Sequence, residues 1–354
     1  MGSTFRTIAR ASLGLSAMAL ALAPAASQQA GFPIARYTMD AGTLSGMAAM
    51  SRGGGGMRGM LSMMGGGNQL AHELLLRLGS SRTPAGAADA DHYLPPVAQL
   101  GASVPLIHDP RPTGSQESPM EMPRGRLLIF WGCGEHAPAG QPVVIDFARL
   151  ARGEIPPGLY AQDLNLPDDW RVTPANSTTY GDWPNRESAT AVPGNASLLG
   201  AHRVAGNYAP EINFTLAEDF MPALNPATSQ LPSGAINLRW NGLQKATGYY
   251  AWAFGAGERD RDMVWWTSSN TQAFGGPFAE WMSPGTVRRY IDAGQGMAPT
   301  RTDCTIPAEV RAASGEGFMT SLYAYGPQVD FAYPPRPRGR AAWRPEWIAR
   351  VRFR

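Results

Sequence analysis

Residues 234–240, Gly-Ala-Ile-Asn-Leu-Arg-Trp, with 249–257, Tyr-Tyr-Ala-Trp-Ala-Phe-Gly-Ala-Gly, and 262–269, Asp-Met-Val-Trp-Trp-Thr-Ser-Ser, decide the fold class. In the first, Ile236, Leu238 and Trp240 alternate with Asn237, Arg239 and Asn241. That is the two-residue period of a half-buried strand. The turn NGLQKATG leads into the second run, which is aromatic and too short between glycines for a stable helix. The run FMTSLYAYG (318–326) reads as a fourth strand of the same group.

Upstream, RLLIFW (126–131) and PVVIDF (142–147) are continuous apolar runs bounded by Gly and Pro, the pattern of core strands. QLAHELLLRLGSS (69–81) has Leu70, Leu74 and Leu78 at helical spacing, yet Gly67 and Gly79 bracket it closely and favour a strand. Gly and Pro together supply 72 of 354 residues, 41 and 31 respectively, a density that suits many short strands joined by turns. The expected class is therefore all-β. It comprises two packed sandwich-like modules, 69–200 and 201–335, between a flexible Gly/Met-rich arm (28–68) and a basic segment (336–354).

The stretch from Ile236 to Phe254 resembles strands B and C of fibronectin type III and related immunoglobulin-like sandwiches, which implies that kind of fold for the second module. Such a resemblance speaks to fold and implies no ligand. The wording of WGCGE, GNYAPEI, AYGPQVDFAYPPRP and the Arg/Trp-rich end is similar to exported proteins of alphaproteobacteria that carry no assigned activity. That likeness implies an envelope setting and supplies no site residue.

Residues 1–27 read as a secretory signal peptide. Arg6 and Arg10 precede an apolar run from Ala11 to Ala23, and small residues follow, with cleavage expected between Ala25 and Ser27. The run is too short to span a bilayer, so no transmembrane segment is expected in the mature chain. Removing the signal leaves about 327 residues, enough for full hydrophobic cores. The charge then balances at 28 basic against 28 acidic residues, from 30 less the two signal arginines. Such a body has no global field to steer nucleic acid. Seven arginines and one glutamate fall between Arg336 and Arg354, a local excess of positive charge.

Catalytic motifs fail on inspection. Gly132-Cys-Gly134-Glu-His-Ala137 has the G-x-G-x-x-A spacing, but Pro138, Gly140 and Pro142 forbid the helix that a dinucleotide loop needs. His72-Glu73 begins a zinc motif whose second histidine position is Leu76. Asp89, Asp91 and His92 cluster oxygen and imidazole ligands in one short stretch, as a cation site or a solvated loop. Cys133, Glu135 and His136 bring a nucleophile and bases together in sequence, the basis for reading an exported hydrolase there. Against that stand two separately buried thiols, or a Cys133–Cys304 disulfide, which an exported chain permits. Such a bridge closes a loop of 171 residues, worth roughly 5 kcal/mol in the chain-entropy model.

The leading functional expectation is a non-enzymatic exported envelope protein, structural or binding, with no cofactor and with an envelope polysaccharide or a partner protein as its contact. Its candidate surfaces are an aromatic strand face, Tyr250 and Trp252 with Trp265 or Trp266, whose rings are interdomain core instead if the first module packs on that face, and the arginine tail, Arg350, Arg352 and Arg354. The arginines suit phosphate and carboxylate groups; alternatively they pair with the acidic body or guard a sheet edge. A second reading uses the M-x-x-M spacings of Met47 and Met50, Met57 and Met60, and Met60 and Met63, followed by Met64. Their soft thioethers suit Cu(I) or Ag(I), and the pattern resembles the Met-rich segments of copper-handling envelope proteins.

Overall fold

The computed structural model describes residues 33–52, 70–108, 124–154, 171–257, 259, 261–272, 281–315, 317–338 and 343–354. The fold is all-β, with short helices only. Sheet I has the strand order β16 (Gln328–Tyr333), β17 (Trp347–Phe353), β1 (Ala35–Ser45), β2 (Leu70–Ser80), β7 (Thr179–Trp183). Sheet II runs β4 (Ser103–Pro105), β3 (Ala90–Tyr93), β8 (Gly200–Gly206), β9 (Ile212–Leu216). Sheet III runs β15 (Phe318–Tyr325), β12 (Gly248–Ala256), β13 (Met263–Thr267), β5 (Arg126–Trp131), β6 (Val143–Asp146). Sheet IV is β10 (Ala227–Gln230), β11 (Ile236–Arg239), β14 (Asp303–Ile306). The helices are α1 (Met47–Arg52), α2 (Phe147–Leu150), α3 (Pro284–Asp292) and α4 (Ala308–Ala313). None among the described residues is long and apolar enough to cross a membrane.

Sheet I packs on sheet II. Tyr37, Met39, Ala349 and Val351 belong to the same buried cluster as Val204, Ile212 and Phe214, and Phe214 stacks on Phe331 of β16 at 4.9 Å. Sheet III packs on sheet IV through Trp240 against Tyr249, 5.4 Å between rings, and through Leu238, Cys304 and Ile306. One continuous core joins all four sheets. The strands read from sequence at 70–80, 126–131, 143–146, 236–239, 248–256, 263–267 and 318–325 are in place.

Three boundaries differ from those expected. Sheets I, II and III each draw strands from both sides of residue 200, so the division into 69–200 and 201–335 coincides with no gap between sheets. In particular β8 and β9 pair with β3, which takes them out of a self-contained second module. The arm assigned to 28–68 contains β1, whose Ala35, Tyr37, Met39 and Ala41 are fully buried. Apolar residues at alternate positions, packed between two sheets, outweigh the glycine-rich composition that follows them. The basic segment ends in β17, which lies parallel beside β1 inside sheet I. Residues 1–27 and the Gly/Met run 53–68 lie outside the described residues.

Candidate functional site

One cleft is bordered by the turn after β5. Gly132 adopts φ +100°, a region that favours glycine, and its carbonyl accepts a 2.9 Å bond from the indole of the buried Trp266. The next residue is tied across the sandwich, because Cys133 and Cys304 form a disulfide. Two backbone bonds extend the attachment: Gly134 N–H to Thr305 O, 2.8 Å, and Ala308 N–H to Glu135 O, 3.0 Å. Glu309, in the first turn of α4, then holds the tip of the turn. Its carboxylate accepts from His136 Nδ1 at 3.0 Å and from the Ala137 N–H at 2.9 Å. Burial pushes the Glu309 carboxyl up, but these donors outweigh it and hold the group below its ordinary value. A carboxylate only accepts, so His136 carries its proton on Nδ1, and in the neutral ring Nε2 is an acceptor.

Beside this pair opens a cleft of about 770 Å³, between sheet IV, α4 and the edge strand β15. That volume lies within the roughly 300–1,000 Å³ range of small-ligand sites. Thr228, Gln230, Ser233 and Thr320 line it with Phe318, Arg311, His136 and Glu309, Phe318 also packing in part against the core. Arg311 makes no ion pair among the described residues. Ser314 also borders the cleft, but its hydroxyl is spent on Val310 O at 2.8 Å and the residue is buried. The sulfur of Cys133 is oxidised, which removes the thiolate on which a hydrolase at Cys133, Glu135 and His136 depends. What the cleft offers is hydrogen bonding, the Phe318 and His136 rings, the Arg311 cation and the Glu309 carboxylate.

The aromatic face divides. Trp252 and Trp265 stand together on the outer side of sheet III, stacked at 5.1 Å with 13° between their planes and half-buried. Tyr250 is buried with Val287 and Tyr290 of α3, and Trp266 points to the opposite face at 0% exposure, so neither joins a platform. The arginine tail is engaged inside the chain. Arg350 pairs with Asp330 at 2.9 Å, Arg352 with Asp40 at 2.7 Å, and Arg354 with Glu73 at 2.9 Å. Arg352 is 3% exposed and Arg354 lies 3.6 Å over the Trp281 ring. These are structural ion pairs, not an open cationic face.

Asp89, Asp91 and His92 do not converge, because neighbours on β3 alternate: Asp91 accepts from Ser103, while His92 is buried in the core. No group of three or more His, Cys, Asp or Glu suited to a metal occurs among the described residues. Met47 is exposed on α1, whereas the side chain of Met50 and all of Met57, Met60, Met63 and Met64 lie outside the described residues. His72 stacks on Phe220 at 3.8 Å, and Glu73 holds Arg354.

Sequence reading missed Glu309, Arg311 and Phe318 as cleft residues. The strand 318–325 was legible, but its place at a sheet edge beside α4 depends on pairing with β12, which no local pattern encodes. Comparison with protein-family models, curated proteins and solved structures gave no match.

Proposed function

We propose that this chain is an exported, non-enzymatic binding protein of the bacterial cell envelope, and that its cleft between α4, sheet IV and β15 seats a short segment of envelope polysaccharide. The wall chemistry of that cleft carries the reading. Hydroxyls and amides at Thr228, Gln230, Ser233 and Thr320 match the donors and acceptors on a sugar's rim, and the Phe318 ring matches the apolar face of a pyranose. Arg311 suits a carboxylate or phosphate substituent. The leader-like residues 1–27 and the Cys133–Cys304 disulfide support an oxidising compartment outside the cytoplasm.

The test is calorimetric titration of the mature protein with oligosaccharides released from lipopolysaccharide and from peptidoglycan. Saturable binding is expected, abolished by Phe318→Ala, weakened by Arg311→Gln and untouched by Trp252→Ala. Absence of binding to every fragment, or binding that survives both cleft substitutions, refutes the reading. Loss on Trp252→Ala alone transfers the site to the stacked tryptophans of sheet III.

A further inference from the structure

Where sheet I meets sheet II, three polar side chains form a continuous hydrogen-bonded line through the core. Tyr37 Oη lies 2.6 Å from His92 Nδ1, His92 Nε2 lies 3.0 Å from His202 Nδ1, and His202 Nε2 lies 2.8 Å from the Leu198 carbonyl oxygen. All three residues are at most 2% exposed. The last acceptor fixes the direction of the whole line. A carbonyl only accepts, so His202 donates from Nε2, and its Nδ1, in the neutral ring, accepts from His92 Nε2. His92 Nδ1 then accepts from the Tyr37 hydroxyl. Every ring nitrogen is used once, and in the neutral line every hydrogen has an acceptor. A proton added to either imidazole leaves His92 Nδ1 donating to the Tyr37 oxygen, so the Tyr37 hydrogen loses its acceptor and a cation is left in the buried core.

We propose that Tyr37, His92 and His202 are a pH-set clasp, which holds sheet II on sheet I only while both imidazoles are neutral. The surroundings reinforce this. Phe214 of β9 stacks on His202 at 5.0 Å with 1° between planes, and Tyr37 meets His92 edge-on at 5.4 Å. Among the described residues no carboxylate bonds to either ring. Asp91 and Arg203 alternate to the other faces of β3 and β8, where Asp91 accepts from Ser103 and Arg203 pairs with Glu211. Asp219 accepts from Ser197 and from the Leu198 N–H. Asp330 of β16 is held by Arg350, and Asp40, which acts on Tyr37, is held by Arg352 and Arg77. Burial, followed by the neighbouring His202, depresses His92 well below its ordinary value, and burial depresses His202.

The sign follows. The unfolded chain takes up protons near the free value of about 6.5 while the folded chain does not, so stability is present above that pH and falls as pH drops below it. With two withheld protons the unfolding equilibrium constant rises up to about a hundredfold per pH unit there.

Two measurements on the mature protein decide it. The chain has five histidines, so the ring nitrogens of a histidine-labelled sample are assignable by single substitution. His92 and His202 are expected to remain neutral Nε2–H tautomers at pH 6 in the folded protein. Hydrogen exchange at pH 5.5 is expected to release the amides of β3, β8 and β9 before those of sheets III and IV. Tyr37→Phe/His92→Leu, which removes a donor and its acceptor together, should lower the limiting logarithmic pH slope of stability by about one, the shares of His202 and of His72, which burial also depresses, remaining. Titration of either ring near 6.5 in the folded state, a flat stability profile between pH 7 and 5.5, or uniform exchange across all four sheets overturns the clasp. If the double variant fails to fold, the tautomers and the exchange pattern of the unmodified protein still distinguish these outcomes.

Discussion

Arg352 and Asp40 are 312 positions apart in sequence and meet in a bidentate pair, Nε to Oδ1 at 2.7 Å and Nη2 to Oδ2 at 3.0 Å. Arg352 Nη1 also donates to Trp281 O, and Arg77 reaches the same carboxylate. Two charges removed from water are held by one another and by these bonds, so removing one strands the other. Asp40→Asn should therefore cost about 3–5 kcal/mol in urea unfolding. Arg350→Ala removes a partly solvated pair with Asp330, side chains 20% and 49% exposed, and should cost under about 1 kcal/mol. Equal losses in the two variants would mean that burial does not set the worth of these pairs. The alternation of Arg350, Arg352 and Arg354 was legible as a strand, but the carboxylates that meet them sit on β16, β1 and β2. No spacing within the tail could name those partners, so the sequence left pairing with the acidic body and an open cationic face as equal alternatives.

Among the elements, the turn at 132–137 shows how one covalent link organises a site. The disulfide fixes Cys133 to β14, and the backbone bonds of Gly134 and Ala308 then place His136 and Ala137 against Glu309. Thiol titration of the unfolded, unreduced protein should find no free thiol. Cys133→Ser/Cys304→Ser should lower stability by about 2–5 kcal/mol and weaken oligosaccharide binding by loosening one wall of the cleft. A free thiol, or a double variant of unchanged stability, would contradict this account. The strand β1 offers the opposite lesson. Ala35, Tyr37, Met39 and Ala41 alternate with Arg36, Thr38 and Asp40, a readable period of two. The adjoining Gly/Met run, which has almost no branched apolar residues, concealed it. The hairpin of β5 and β6 was legible because continuous apolar runs between turn residues need no distant partner to be recognised.

Considered as a whole, the chain closes on itself. β17 runs parallel to β1 in a register from Ala35 opposite Trp347 to Ala41 opposite Phe353, and Thr43 N–H reaches the carbonyl of Arg354. Parallel partners need a crossover connection, and here nearly the entire chain is that connection. Sheets I, II and III are each completed only by strands from both sides of residue 200. Neither half can then pair its backbone groups or bury its apolar faces alone. Residues 28–200 and 201–354, expressed separately, should each lack a cooperative thermal transition, whereas the mature chain should melt in one main transition at neutral pH. A half that melts cooperatively would restore the boundary at residue 200 and make the shared sheets an association between independent domains. The distinction bears on the clasp as well. Tyr37 and His92 lie on one side of that boundary and His202 on the other, so their hydrogen-bonded line exists only in a chain that folds as a single unit.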